Sequence, residues 1–261
     1  MRTNLAATRK AAAPAAMAAA AAVQDTIEQV TRKGAVHSIL DIEAERMSLG
    51  GLLLLRQEAE LLAELGGVRA LVLHIAGAEL DARQRALIES TWRSPYAVEI
   101  CFERCGGSDC AWPSAAIGRP GFSYQFFDRI GLLASALGRR PPRLGWSAEV
   151  ITQARALKTH FGGRLIAAHL KNVSNQSTEE SNADQDAWTR FFACRARPGE
   201  FDFLLLGSDV ANSSVLAVPG VLHAEMLGVP LEVQLALAGC ADGFLGMASG
   251  ICAAAVLSTT P

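Results

Sequence analysis

Short, mainly apolar runs recur along this chain, several of them followed by a stretch of helical spacing. Val36 to Ile42, Val68 to Ile75, Tyr96 to Phe102, Arg164 to Leu170 and Phe201 to Gly207 are of this kind. A strand apolar on both faces must be covered on both faces, which is the condition of a parallel sheet flanked by helices. The intervening segments supply them. Leu53, Leu54, Gln57, Leu61, Leu62 and Leu65 mark a helix from about Leu52 to Leu65, stopped by Gly66-Gly67. Ala82 to Trp92 is helical in pattern, and Ser147 is placed to cap a helix running to Phe161 before Gly162-Gly163. Asp184 to Ala196 follows, with Trp188, Phe191 and Phe192 expected to face inward. Short strands at Val221 to Ala224 and Gly243 to Met247, and helices at Leu231 to Ala241 and Gly250 to Leu257, complete the rhythm.

The expected fold class is therefore α/β, with two Rossmann-like domains, parallel sheets and a cleft between them. Residues 106–122 read as a long loop and 123–137 as a helix. Gly138-Arg-Arg-Pro-Pro-Arg-Leu-Gly145 is the best linker, because adjacent prolines break any regular element. The division expected is an Ala-rich tail over 1–34, disordered or loosely helical, a first α/β domain over 35–140 and a second over 141–261.

A formal net charge of −2 argues against a general nucleic-acid binder. No run approaches the roughly 20 apolar residues of a membrane span. Arg2, Arg9 and Lys10 ahead of an alanine-rich stretch have the layout of a signal segment, but alanine is a weak hydrophobic centre and Pro14 interrupts it. The expected location is cytoplasmic, with membrane-peripheral and secreted alternatives. Cys101, Cys105 and Cys110 are spaced x3 and x4 with no second cluster, so thiols are expected there rather than structural zinc. No metal and no cofactor are expected.

Ligands of open parallel sheets bind beyond the carboxyl ends of strands, near helix N-termini. Four groups of residues meet that description. His169-Leu-Lys-Asn172 delivers an imidazole, a cation suited to a phosphate oxygen and an amide to one strand end. Gly246-Met-Ala-Ser-Gly250 makes a strand-to-helix turn whose Ser249 and Gly250 open a helix with free N–H groups. Ser208 and Asp209 follow another strand and suit ribose hydroxyls, though they are also common turn residues. Asp41 and Glu43 flank the first strand's end, where a carboxylate can take a proton from a hydroxyl. A phosphate-binding Gly-x4-Gly-Lys loop, a Gly-x-Gly-x-x-Gly fingerprint, a His-Glu-x-x-His pair and a Gly-x-Ser-x-Gly elbow are all missing. His37, His74 and His160 read as structural.

The second half, through Ile166-Ala-Ala-His-Leu-Lys-Asn172, Ser181-Asn-Ala183, Trp188-Thr-Arg-Phe-Phe192 and Ala241-Asp-Gly-Phe-Leu-Gly-Met-Ala-Ser-Gly-Ile251, resembles the donor-binding domain of bacterial glycosyltransferases of the GT-B type. Where fucosyltransferase-like members carry His-x-Arg-Arg, this chain has His-Leu-Lys-Asn. The resemblance implies metal-independent transfer of a sugar from a nucleotide-sugar to a saccharide acceptor, in polysaccharide biosynthesis. It implies that Lys171 faces the donor diphosphate and that Ser249 and Gly250 meet the nucleotide end. Strand-end placement adds Asn172, Ser208 and Asp209 as candidate donor contacts, and His169, Asp41 and Glu43 as candidate catalytic residues. A sugar-nucleotide epimerase, a non-catalytic nucleotide- or sugar-binding protein, and a minimal or truncated enzyme stay open beside it.

Overall fold

The computed structural model describes residues 24–42, 47–77, 79–102, 143–172, 182–208, 213–247 and 249–258. The alanine-rich stretch to Val23, the 106–122 loop, the 123–137 helix, Cys105, Cys110, Glu43 and Asp209 lie outside the described residues. The chain is α/β, and its two compact units, each with a wholly parallel sheet, give the Rossmann-like organisation expected. One unit comprises Met1–Met47, Leu54–Arg85 and Tyr96–Pro142; the other comprises Ser48–Leu53, Ala86–Pro95 and Arg143–Pro261.

In the first unit, β1 (Val36–Asp41), β2 (Ala70–Ala76) and β3 (Ala97–Cys101) pair side by side in chain order. Helix α1 (24–33) packs on the end of α2 (Leu49–Gly66). Gly66 is required at that contact, because a Cβ there would stand 2.6 Å from the Val30 side chain. The Thr31 hydroxyl donates to the Gly66 carbonyl at 3.2 Å. Asp81 and Gln84 form a reciprocal capping box at the start of α3 (Ala82–Thr91), at 2.7 and 2.9 Å.

Helix α2 departs from a simple amphipathic pattern. Arg56, Glu58 and Glu60 are buried along with its leucines. The Arg56 guanidinium stands 3.1 Å from the Glu60 carboxylate one turn on, with side-chain exposures of 0% and 4%. Burial lowers the Arg56 pKa and the nearby Glu60 charge opposes that shift. Such a pair is costly to split, since either charge left alone has lost its hydration.

On the sheet itself, His37 and His74 stack with ring centroids 5.2 Å apart and share a hydrogen bond of 2.9 Å between Nδ1 and Nε2. Desolvation by burial lowers both pKa values; the two rings' mutual repulsion and Lys33 add to this for His37, while Glu99 works against it for both.

The second unit is built on β4 (Arg164–His169), β5 (Phe201–Leu205), β6 (Val221–His223) and β7 (Gly243–Gly246), ordered β6-β5-β4-β7. On one face lie α4 (Ala148–His160), α7 (Leu231–Cys240) and α8 (Gly250–Leu257) over a core of Leu165, Ala167, Leu204, Leu206, Val233, Leu237 and Ile251. On the other lie α5 (Gln185–Arg195) and α6 (Ser213–Leu216) over Ala168, Leu170, Phe192, Phe203 and Val221. Alternate residues of each strand thus serve opposite cores. Helix α7 is buried from Val233 to Gly239 because it packs beside both α4 and α8, so it has no polar face to show. Ser147 caps α4, accepting from the Val150 N–H, and Asp184 caps α5, accepting from the Ala187 N–H at 3.0 Å.

One orientation differs from expectation. Phe192 is fully buried, but Phe191 is 37% exposed and Trp188 only partly covered. The three share one face of the helix, about 100° wide, and Phe191 stands at the edge of that face, where the stripe meets solvent.

Candidate functional site

Strand order locates the site. From β4 the chain crosses to β5 and on to β6 on one side, then returns to place β7 on the other side of β4. The helices after β4 and β7 therefore lie on opposite faces, and the carboxyl ends of these two strands flank a switch point. His169 of β4 and Gly246 of β7 stand opposite one another in register. Lys171 and Asn172 continue from one, and Ser249 and Gly250 from the other.

His169 is only 5% exposed. Its side chain, on the face of Leu165 and Ala167, sits against the end of β5: a Cβ on Gly207 would lie 3.1 and 3.2 Å from the ring's Cδ2 and Nε2, and 2.8 Å from Ile251 Cδ1. Gly207 has φ +95°, where side-chain-bearing residues are strained, so both backbone and space demand glycine. Its N–H donates at 2.8 Å to Gln234 Oε1, while Gln234 Nε2 donates at 2.7 Å to the Val229 carbonyl. Gln234, from α7, thereby fixes the β5 end. Sequence reasoning missed it; the available signal was a lone amide in an otherwise apolar buried helix, which needs a partner.

Beyond His169, Lys171 is partly buried and its carbonyl accepts from the Ala183 N–H at 2.8 Å, while Asn172 and Ser208 are exposed. Ser249 is the N-cap of α8: its Oγ accepts from the Cys252 N–H at 3.2 Å, and its carbonyl accepts from the Ala253 N–H. That leaves the N–H groups of Gly250 and Ile251 as first-turn donors without an acceptor inside the helix. Gly250 has a packing role besides. A Cβ on it would meet Leu49 Cβ at 2.5 Å and Gly50 N at 3.0 Å, so glycine lets the start of α8 approach the start of α2 within the same unit.

The structure thus brings His169, Lys171, Asn172, Ser208, Ser249 and Gly250 to the carboxyl edge of one sheet. Asp41 ends β1 in the other unit, half-buried, opposite Ala76. Asp242 belongs to the far end of this sheet. It accepts from the Leu165 N–H at 2.9 Å and from Lys158 Nζ, and the Lys158 hydrogen bond is the chief cause of its lowered pKa. The chain also holds one Asp-x-Asp triplet, Asp184-Gln-Asp186, which opens α5 with Asp184 as the cap. Among the described residues no group of three or more His, Cys, Asp and Glu is arranged to hold a metal ion, and no helix is long and apolar enough to cross a membrane.

No family profile and no curated protein matches the chain. Two solved structures are similar to it. The fucosyltransferase NodZ from Bradyrhizobium aligns with a TM-score of 0.37 and 13% identity over 85% of this chain and 94% of its own. The iron-containing dodecameric glycosyltransferase TibC from enterotoxigenic E. coli aligns with a TM-score of 0.38 and 17% identity over 87% of this chain and 57% of its own.

Proposed function

We propose that the chain is a glycosyltransferase that moves a sugar from a nucleotide-sugar donor to a saccharide acceptor without a resident metal. The observation that carries the reading is the switch point between β4 and β7, where a lysine follows one strand end and a capped helix opens after its neighbour. A diphosphate leaving group gains negative charge as the glycosidic bond to the donor breaks. Lys171 and the first-turn N–H groups of α8 supply fixed positive charge where that develops. His169, being buried against Gly207, acts from beneath the edge by holding the β4 and β5 ends in place. Asn172, Ser208 and Asp209 are the candidates for the nucleoside hydroxyls. In this proposal a carboxylate takes the acceptor's proton, and Asp41 and Glu43 are the candidates the sequence offers.

The test is to incubate the protein with a panel of nucleotide-sugars, with and without saccharide acceptors, and to measure free nucleotide. Acceptor-dependent release that falls by about a hundredfold in Lys171→Ala supports the reading, the scale expected for removing one donor to a developing anion. Equal release by Lys171→Ala counts against it. Conversion of donor with no acceptor and no free nucleotide favours an epimerase instead.

A further inference from the structure

Away from the carboxyl edge, the second unit has a cavity of about 450 Å³ on the α5 face of its sheet. Ile166, Phe203 and Leu245 form its floor, from three adjacent strands. Phe191, Cys194 and Arg195 of α5 form one wall, and Arg197, Phe201 and Phe244 contribute further lining. The volume falls within the range of roughly 300–1,000 Å³ typical of small-molecule sites. The half-exposed Phe191 and the exposed thiol of Cys194 leave it open on the α5 side.

Its chemistry is lopsided. The lining is mainly aromatic and aliphatic, and its charged members are both arginines. Arg197 reaches Glu200 only at 3.9 Å, with both side chains about two-thirds exposed, a pairing that water and salt weaken. Among the described residues no carboxylate pairs with Arg195. An apolar hollow bordered by available guanidinium groups selects a molecule with a greasy body and an anionic head. A cationic amphiphile gains the same burial but is repelled at the rim.

We propose that this cavity binds an amphipathic anion, an apolar body of fatty-acyl size whose carboxylate meets Arg195. The site is separate from the β4 and β7 carboxyl edge, and the proposal does not rest on sugar transfer.

The probe is dodecanoate, kept below its micelle-forming concentration, with dodecyltrimethylammonium as the charge-reversed control. Calorimetry is expected to show one dodecanoate per chain. Bound dodecanoate is expected to slow iodoacetamide alkylation of Cys194 by about tenfold, with Cys252 unaffected, as read by peptide mass spectrometry; burying a wall of the site under a ligand removes the thiol from reagent. Arg195→Glu, an exposed change that leaves the fold alone, is expected to weaken binding about fivefold, in line with a rim charge of modest strength. Cys194→Trp, which fills the hollow from its open side, is expected to abolish the calorimetric signal without lowering the Tm. No heat and no protection of Cys194 overturns the proposal. So does equal affinity for dodecyltrimethylammonium, or an unchanged affinity in Arg195→Glu.

Discussion

The two sheets are built from the same kind of strand and differ in order. In the first unit each described strand is laid beside the last in the same direction, β1-β2-β3. In the second the direction reverses at β4, giving β6-β5-β4-β7. Only a reversal sends helices to opposite faces of adjacent strands and opens a crevice at their carboxyl ends. The placement of polar groups follows suit. The first unit's histidines hydrogen-bond to each other in mid-sheet and its arginine is buried beside a glutamate, whereas the second unit's His169 and Lys171 stand at or beyond a strand end. Similar residues therefore lie inside one unit and gather at a strand end in the other, where Lys171 is the proposed ligand contact.

This contrast can be broken most forcefully in the first unit. Arg56→Leu takes this cation from the buried Glu60 and is expected to cost about 3–5 kcal/mol in urea unfolding. A cost below about 1 kcal/mol would mean that the pair is not part of what holds α2. In the second unit, Gly207→Ala combines a strained φ with contacts on Ile251 and His169 and is expected to cost about 3 kcal/mol. Gly228→Ala has a similar positive φ but open space around it, so about 1 kcal/mol is expected there. Equal midpoints for these two variants would remove the argument that His169 is held tightly against the β5 end.

Ser249→Ala is expected to cost about 1 kcal/mol by loss of the α8 cap. Thermal unfolding measures that, and nucleotide affinity shows separately whether the capped helix matters to the edge.

The smallest effect concerns pH. Because the folded pKa values of His37 and His74 lie below those of the unfolded chain, the unfolded state binds more protons as pH falls through about 6.5. Stability is then unaffected above that pH and declines below it, toward the lowered folded values. His74→Gln is expected to flatten the decline, as followed by urea midpoints between pH 7.5 and 5.

Most strands were legible as short apolar runs bounded by turn residues, although half-exposed β3 and the wholly apolar helix α8 show that such a run does not by itself name the element. Ser147 and Asp184 were readable as the starts of helices α4 and α5, since cap chemistry is local. What pairs across the chain was not readable. Gly250 looked like a residue freed for a ligand, yet its missing Cβ also makes room for Leu49, two hundred residues earlier in the sequence. Gln234 gives no hint that it holds Gly207, and nothing in Val36–Asp41 shows that His37 finds His74. Periodicity reports which face is buried, not against what, and the reversal at β4 is likewise a long-range fact.

The most direct measurement is calorimetric titration of the full chain with UDP, GDP and dTDP, for the parent and for Lys171→Ala. One of the three is expected to bind the parent, and the variant to bind it about tenfold more weakly, as a charge-assisted contact to phosphate implies. No binding by any of them, or undiminished affinity in Lys171→Ala, would contradict a diphosphate site at the β4 and β7 strand ends.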